Sequence, residues 1–311
     1  MGDLLREAQA FHRLPLMDLL WQAHQVHRAR HNPADIQRCT LLSIKTGGCP
    51  EDCAYCPQSA WYETGVERQP LLPVEAVRRA AGQARRNGAQ RFCMGAAWRQ
   101  VKDGPEFDQV LEMVRAVKAE GLEACVTLGM LTEQQAARLK AAGLDAYNHN
   151  LDTSREFYGQ IIHTRTYDDR LDTLRKVRRA GITVCSGGIL GMGESAQDRC
   201  VLLAELASLN PPPESVTLNL LIPVRGTPLE HAAPVDPLDL VRAVAVARLL
   251  MPVARVRLSA GRLGLSAEAQ VLCFFAGANS IFLGDTLLTR PNAAPDADQR
   301  LLDSLGAGAT A

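Results

Sequence analysis

Residues 41–58 read Leu41-Leu42-Ser43-Ile44-Lys45-Thr46-Gly47-Gly48-Cys49-Pro50-Glu51-Asp52-Cys53-Ala54-Tyr55-Cys56-Pro57-Gln58. A short apolar run, Leu41–Thr46, has the length and composition of a buried strand. Gly47 and Gly48 end it, and Pro50 and Pro57 keep the following residues irregular. Three thiols fall in that loop with the spacing Cys-x3-Cys-x2-Cys. A loop after the first strand of a parallel barrel lies at the C-terminal mouth, where active sites are built. Three local thiolates cannot complete a tetrahedral zinc site without a distant fourth ligand. They can hold three irons of a [4Fe–4S] cluster and leave the fourth iron open. An open iron at a mouth suits substrate or cofactor chemistry better than simple electron transfer. A structural zinc loop and unliganded thiols are the other readings of this spacing.

Working outward, the strand–helix alternation repeats. Further strands are expected at Arg91–Gly95, Glu123–Leu128, Asp145–His149, Thr183–Gly187, Val216–Leu221, Arg255–Ser259 and Ser280–Gly284. Helical periodicity fills Val74–Arg86, Phe107–Ala119, Thr132–Ala142, Asp168–Ala180, Ser195–Leu209, Pro237–Leu250 and Ser266–Ala276. Gly88, Gly121, Gly143, Gly181 and Gly277 stand where helices end before the next strand. Eight strands in one alternation predict a (βα)8 TIM-type barrel. The rival open sheet lacks its Gly-x-Gly-x-x-Gly turn after the first strand. The expected organisation is a helical preface over residues 1–35, the barrel over 36–290 and a loosely ordered tail over 291–311.

The 311 residues include nine cysteines, and 34 basic residues balance 34 acidic ones. Zero net charge disfavours a nucleic-acid or polybasic membrane binder. No stretch resembles a signal peptide or a membrane span. A cytoplasmic location is therefore expected, where cysteines persist as thiols or metal thiolates, and an odd thiol count points to buried thiols, metal ligands or reactive groups rather than a disulfide scaffold. Cys93, Cys125 and Cys185 each fall within an expected strand. Inward positions of distant strands can converge in a barrel, so these thiols form either a second metal site or ordinary packing. Cys39, before the first strand, and Cys200 and Cys273, on helices, read as packing residues.

The cysteine loop, with Tyr55 just before its last thiol, resembles the signature of radical S-adenosylmethionine (SAM) enzymes. Four further segments, Arg91–Arg99, Tyr147–Thr153, Val184–Gly188 and Val256–Arg262, resemble the biotin synthase family, and the similarity runs from about residue 36 to residue 292. The resemblance implies the radical SAM fold and a sulfurtransferase that converts dethiobiotin to biotin. In that superfamily SAM chelates the open iron, and its reductive cleavage yields methionine and a 5′-deoxyadenosyl radical. The resemblance further implies a [4Fe–4S] cluster on Cys49, Cys53 and Cys56. It implies a [2Fe–2S] cluster, regarded as the sulfur donor, on Cys93, Cys125, Cys185 and Arg257. Chemistry alone would not choose Arg257, because a guanidinium has no lone pair to give a metal.

The resemblance also assigns ligand contacts. Asn150 and Asp152 contact the SAM ribose, Arg170 the SAM carboxylate, and Asn150 and Asn219 the dethiobiotin ring. The segment Leu287–Asn292, with Thr289, is expected to hold the substrate carboxylate. Arg290 stands where the family pattern has a second threonine, either as a charge-assisted contact or facing solvent. Read as residues alone, Asn148, Asn150 and Asp152 also suit turn chemistry, and Arg170 an exposed helix surface. His149 reads as a structural histidine. Implied partners are dethiobiotin, an electron donor such as flavodoxin or ferredoxin, and a second copy in a homodimer. The competing functions are a radical SAM enzyme of the same architecture without sulfur insertion and a zinc-binding, non-catalytic barrel.

Overall fold

The computed structural model describes residues 1–307. Two N-terminal helices, α1 (Gly2–Arg13) and α2 (Leu16–Arg30), precede the barrel. The chain then runs β1 (Gln37–Lys45), α3 (Val74–Arg86), β2 (Arg91–Ala96), α4 (Pro105–Ala119), β3 (Glu123–Thr127), α5 (Glu133–Ala141) and β4 (Ala146–Asn148). It continues with α6 (Arg155–Tyr158), α7 (Tyr167–Arg179), β5 (Thr183–Leu190), α8 (Ala196–Ser208), β6 (Ser215–Leu220) and α9 (Pro237–Leu250). Last come β7 (Arg255–Leu258), α10 (Ala267–Phe275), β8 (Ser280–Leu283), the short strands β9 (Thr286–Leu287) and β10 (Arg290–Pro291), and α11 (Pro295–Ser304).

Strands β1 to β8 pair in sequence order, all parallel, and β8 pairs back with β1 to close the barrel. Each expected strand and helix core is present. Thr132, Thr166 and Ser195 each close a capping box at the start of a helix, which satisfies orphan N–H groups in the first turn. The amphipathic helices bury Val77, Val110, Val114, Leu139, Leu174 and Val244 against the outer face of the sheet. No described helix is long and apolar enough to cross a membrane.

The preface is two helices, broken at Leu14-Pro15, where proline fixes φ and donates no N–H. Arg242 on α9 donates to His12 O at 2.7 Å and Leu14 O at 2.8 Å, and so caps α1. Leu19, Leu20 and Ala23 of α2 are buried on the same side, where α2 packs on α9.

Two expectations need correction. Cys39 lies inside β1, not before it, because that strand begins four residues earlier than the apolar run suggested. The tail is not loose over residues 291–307, and the rest of that expectation, 308–311, lies outside the described residues. Helix α11 buries Leu301 and Leu302, and its Asp298 pairs with Arg262 at 2.8 Å, both side chains 2% exposed. The Ala, Asp and Pro content of this stretch hid a helix whose order comes from tertiary contacts.

Candidate active site

Register decides which residues enter the barrel. Leu41 pairs with Cys93, Cys93 with Cys125, and Cys125 with Ala146, so these side chains share one face. Cys185 pairs with Asn148 on one side and Ser215 on the other. Arg257 pairs with Thr217 and Ser280. One cavity of about 350 Å³ opens above them, within the range of small-ligand sites. Cys49, Cys53 and Cys56 wall it at the mouth, and Cys93, Cys125 and Arg257 wall it deeper in the barrel.

The mouth loop is held by its own backbone. Cys49 N–H donates to Gln58 O at 2.9 Å, Ala60 N–H returns to Cys49 O at 2.7 Å, and Cys56 N–H reaches Cys53 O at 2.9 Å. Gly47 and Gly48 turn with positive φ, at 72° and 68°. The loop is also strapped to residues 161–164. Ala54 N–H donates to Ile161 O at 3.0 Å. The Asp52 carboxylate accepts from the N–H groups of His163 and Thr164 at 3.0 and 3.1 Å. Burial pushes the Cys49 thiol up, Cys53 to about 11 and Cys56 to about 12. Such thiols stay protonated until a metal displaces the proton.

Tyr55 gives the aromatic before the last thiol a structural meaning. Its hydroxyl donates to Asp152 Oδ2 at 2.7 Å, tying the loop to the segment that follows β4. Asp152 has φ 69°, its N–H donates to Gly187 O at 3.0 Å, and Ile189 N–H donates back to Asp152 O at 2.9 Å. A Cβ on Gly188 would stand 2.7 Å from Asp152 O, so only glycine lets the two backbones meet.

Arg170 is not on an exposed surface. It is buried, its Nη2 lies 2.6 Å from Asp152 Oδ2, its Nη1 donates to Asn150 O at 2.5 Å and its Nε to Tyr158 Oη at 2.8 Å. The Nη2 contact is a charge contact without hydrogen-bond alignment. Arg170, expected at the SAM carboxylate, does not wall the cavity, whereas Arg165 does, because the Arg170 guanidinium is spent on Asp152, Asn150 and Tyr158. Sequence reasoning passed over Arg165. It is nearly buried, its Nε and Nη1 have no hydrogen-bond partner, and Glu51 Oε2 stands 3.6 Å from Nε. Its position, two residues before the α7 first turn, gave no signal that it would face the mouth.

Asn150 Oδ1 accepts from Thr217 Oγ1 at 2.9 Å and Asn148 Nδ2 at 3.1 Å, which leaves its Nδ2 to donate into the cavity. Asn219 is tied to backbone at both ends: Nδ2 donates to Gly188 O at 3.0 Å, and Oδ1 accepts from Ala260 N–H at 3.1 Å. It still walls the cavity, so one lone pair and one N–H remain. His149 is buried with Nε2 unpartnered, and burial with two nearby arginines keeps it neutral. In the glycine-rich turn, Gly191 and Met192 N–H both donate to Glu194, so that turn closes on itself.

The hairpin β9–β10 lays Leu287, Leu288, Thr289 and Arg290 along the cavity. Gly95 makes room, since a Cβ there would meet Leu288 Cδ2 at 2.8 Å. Arg290 Nε is buried without a partner. Deeper, Arg257 is 1% exposed; Nε donates to Ser280 Oγ at 2.9 Å, and Nη1 reaches Cys185 Sγ at 3.8 Å. Among the described residues, no three His, Cys, Asp or Glu side chains surround one point as the ligands of a single ion would. A cluster binds each thiolate through a different iron, so its thiols need not surround one point as the ligands of a zinc must. The two donor sets, soft and water-poor, fit iron–sulfur clusters on these grounds.

Residues 43–206 match the radical SAM superfamily, and residues 217–308 match the biotin and thiamin synthesis associated domain. The biotin synthase of Sorangium cellulosum is 65% identical over 302 residues, covering 97% of this chain and 86% of that protein. The biotin synthase of Ruegeria pomeroyi is 63% identical over 306 residues, covering 98% and 96%. Among solved structures, methylornithine synthase superposes with a TM-score of 0.81 at 20% identity, covering 97% of this chain and 92% of that one. A maturase of the [FeFe]-hydrogenase gives 0.82 at 18% identity, covering 97% and 71%. At such identities the structural likeness concerns the fold alone.

Proposed function

Because the chain belongs to the biotin synthase family of radical SAM enzymes, we propose how its own residues serve the conversion of dethiobiotin to biotin. When bound, the [4Fe–4S] cluster and SAM supply a carbon-centred radical that takes hydrogen from dethiobiotin, and the [2Fe–2S] cluster supplies the sulfur. Cys49, Cys53 and Cys56 hold the first cluster at the mouth. Cys93, Cys125, Cys185 and Arg257 hold the second, deeper in the barrel. The observation that carries this reading is the single cavity walled by thiols of both sets.

Around that axis the polar groups bind and orient. Asp152, fixed by Tyr55 and Arg170, accepts from ribose hydroxyls of SAM. Arg170 acts on the SAM site through Asp152 and the Asn150 carbonyl, and positions both. The Asn150 Nδ2 donor and the remaining capacity of Asn219 meet the ureido ring of dethiobiotin, which offers both a C=O and N–H groups. Thr289 and Arg290 hold the substrate carboxylate, with Arg290 adding a charge-assisted bond. The barrel wall and the apolar Leu287 and Leu288 line the space in which the radical would form. Hydrogen abstraction needs no side-chain base, so neutral His149 has only a structural part. A flavodoxin or ferredoxin supplies the electron, and the chain works in the cytoplasm as a homodimer.

The test is anaerobic reconstitution with SAM, reductant and dethiobiotin, scored for biotin and 5′-deoxyadenosine. Both products are expected. Deoxyadenosine without biotin would overturn sulfur insertion, and a colourless protein holding zinc but no iron or sulfide would overturn the radical chemistry. Cys93→Ala is expected to stop biotin formation; wild-type yield would remove Cys93 from the second site.

A further inference from the structure

The lower half of the barrel holds four thiols rather than three. Cys39 on β1 is fully buried and pairs in register with Arg91 on β2 and Phe282 on β8. It packs in one small cluster with Cys93 and Cys125. Its Sγ lies 3.7 Å from Ser280 Oγ and 3.6 Å from Gln37 Oε1. Those same two groups accept from Arg257, Nε to Ser280 Oγ at 2.9 Å and Nη2 to Gln37 Oε1 at 3.2 Å. Cys39 and Arg257 therefore share both polar partners, and one serine hydroxyl separates them.

Charge points the same way. Arg91 and Arg257 are 7% and 1% exposed, and Arg91 Nη1 has no partner. The carboxylate bonded to Arg91 is that of Glu123, whose side chain is 47% exposed. Two buried cations against one half-exposed carboxylate leave positive charge among the four thiols. Burying that charge is costly unless anions balance it. The thiolates and sulfides of a bound cluster would balance it, and a thiolate is a softer iron ligand than a guanidine nitrogen.

We propose that Cys39 is a reserve ligand of the second cluster, able to take the fourth iron position when Arg257 leaves it. The step is a ligand exchange: the iron–nitrogen bond breaks, an iron–sulfur bond to Cys39 forms, and the thiol proton passes to the departing guanidine. No electron changes hands. The proposal rests on the reading that Cys93, Cys125 and Cys185 carry a [2Fe–2S] cluster.

The full chain is loaded anaerobically with iron and sulfide, and iron, labile sulfide and the visible spectrum are read for wild type, Arg257→Ala, Cys39→Ser and the double variant. Each single variant is expected to keep the second cluster. The double variant is expected to lose about two irons and two sulfides per chain while keeping the first cluster. Arg257→Met, alone and with Cys39→Ser, repeats the comparison with the buried volume filled. Loss of the second cluster in the Arg257 single variants, or its retention in the double variants, overturns the proposal. A wild-type chain that takes up no second cluster refutes instead the reading beneath it.

Discussion

Replacing Arg170 by leucine removes the guanidinium that balances Asp152 inside the barrel wall. The two side chains are 4% and 2% exposed and stand 2.6 Å apart. Leucine fills much of the volume but leaves the Asp152 carboxylate with the Tyr55 hydroxyl, and leaves the Asn150 carbonyl without its donor. Breaking a buried pair by removing one partner costs about 3–5 kcal/mol, because the other charge stays buried and uncompensated. Unfolding entropy of about 2.1 cal/mol/K per residue, over 311 residues, gives about 0.65 kcal/mol/K. Each kcal/mol then moves Tm by about 1.5 °C, so Arg170→Leu is expected to melt about 5–8 °C below the parent. Circular dichroism under anaerobic conditions reads this directly. Asp152→Asn in the same chain removes the orphaned charge, so the double variant is expected to recover at least about 1 kcal/mol relative to additivity. A melt within about 1 °C of the parent, or strict additivity of the two substitutions, refutes the reasoning.

Three other outcomes follow from the same geometry. Gly187→Ala would place a Cβ 1.8 Å from Thr217 O, so β5 and β6 must part; at least about 3 kcal/mol of lost stability is expected in urea unfolding. His27 is buried with both ring nitrogens unpartnered, and burial with Arg248 nearby lowers it to about 3. Its unfolded form binds a proton that the folded form refuses, so this stability is full above about pH 6.5 and is lost as pH falls toward 3, by at most about 1.4 kcal/mol per unit. His27→Gln is expected to reduce the slope of the stability–pH curve between pH 6 and 4, measured by urea titration, with the buried His149 still contributing. Arg290→Thr removes a charge-assisted bond worth about 1.5–3 kcal/mol, so KM for dethiobiotin should rise about tenfold to a hundredfold with kcat kept. The carboxamide analogue should not distinguish the two proteins; equal KM values for dethiobiotin would place Arg290 outside the site.

The alternation of short apolar runs with helical periodicity, punctuated by glycine at helix ends, was enough to specify eight strands in a closed barrel, because strand and helix periods are local properties of the chain. The mouth loop was legible for the same reason: its three thiols are neighbours in sequence. Spacing could not say what lies opposite them. Arg170 was assigned to the SAM carboxylate only by resemblance, and nothing local showed that α7 would pack it against Asp152; Arg165 entered the cavity only because the segment before α7 straps the cysteine loop. Cys39, Cys93, Cys125 and Cys185 sit on four different strands, and nothing local links them. Their convergence is a product of register and barrel closure, which bring residues over 140 positions apart onto one interior face.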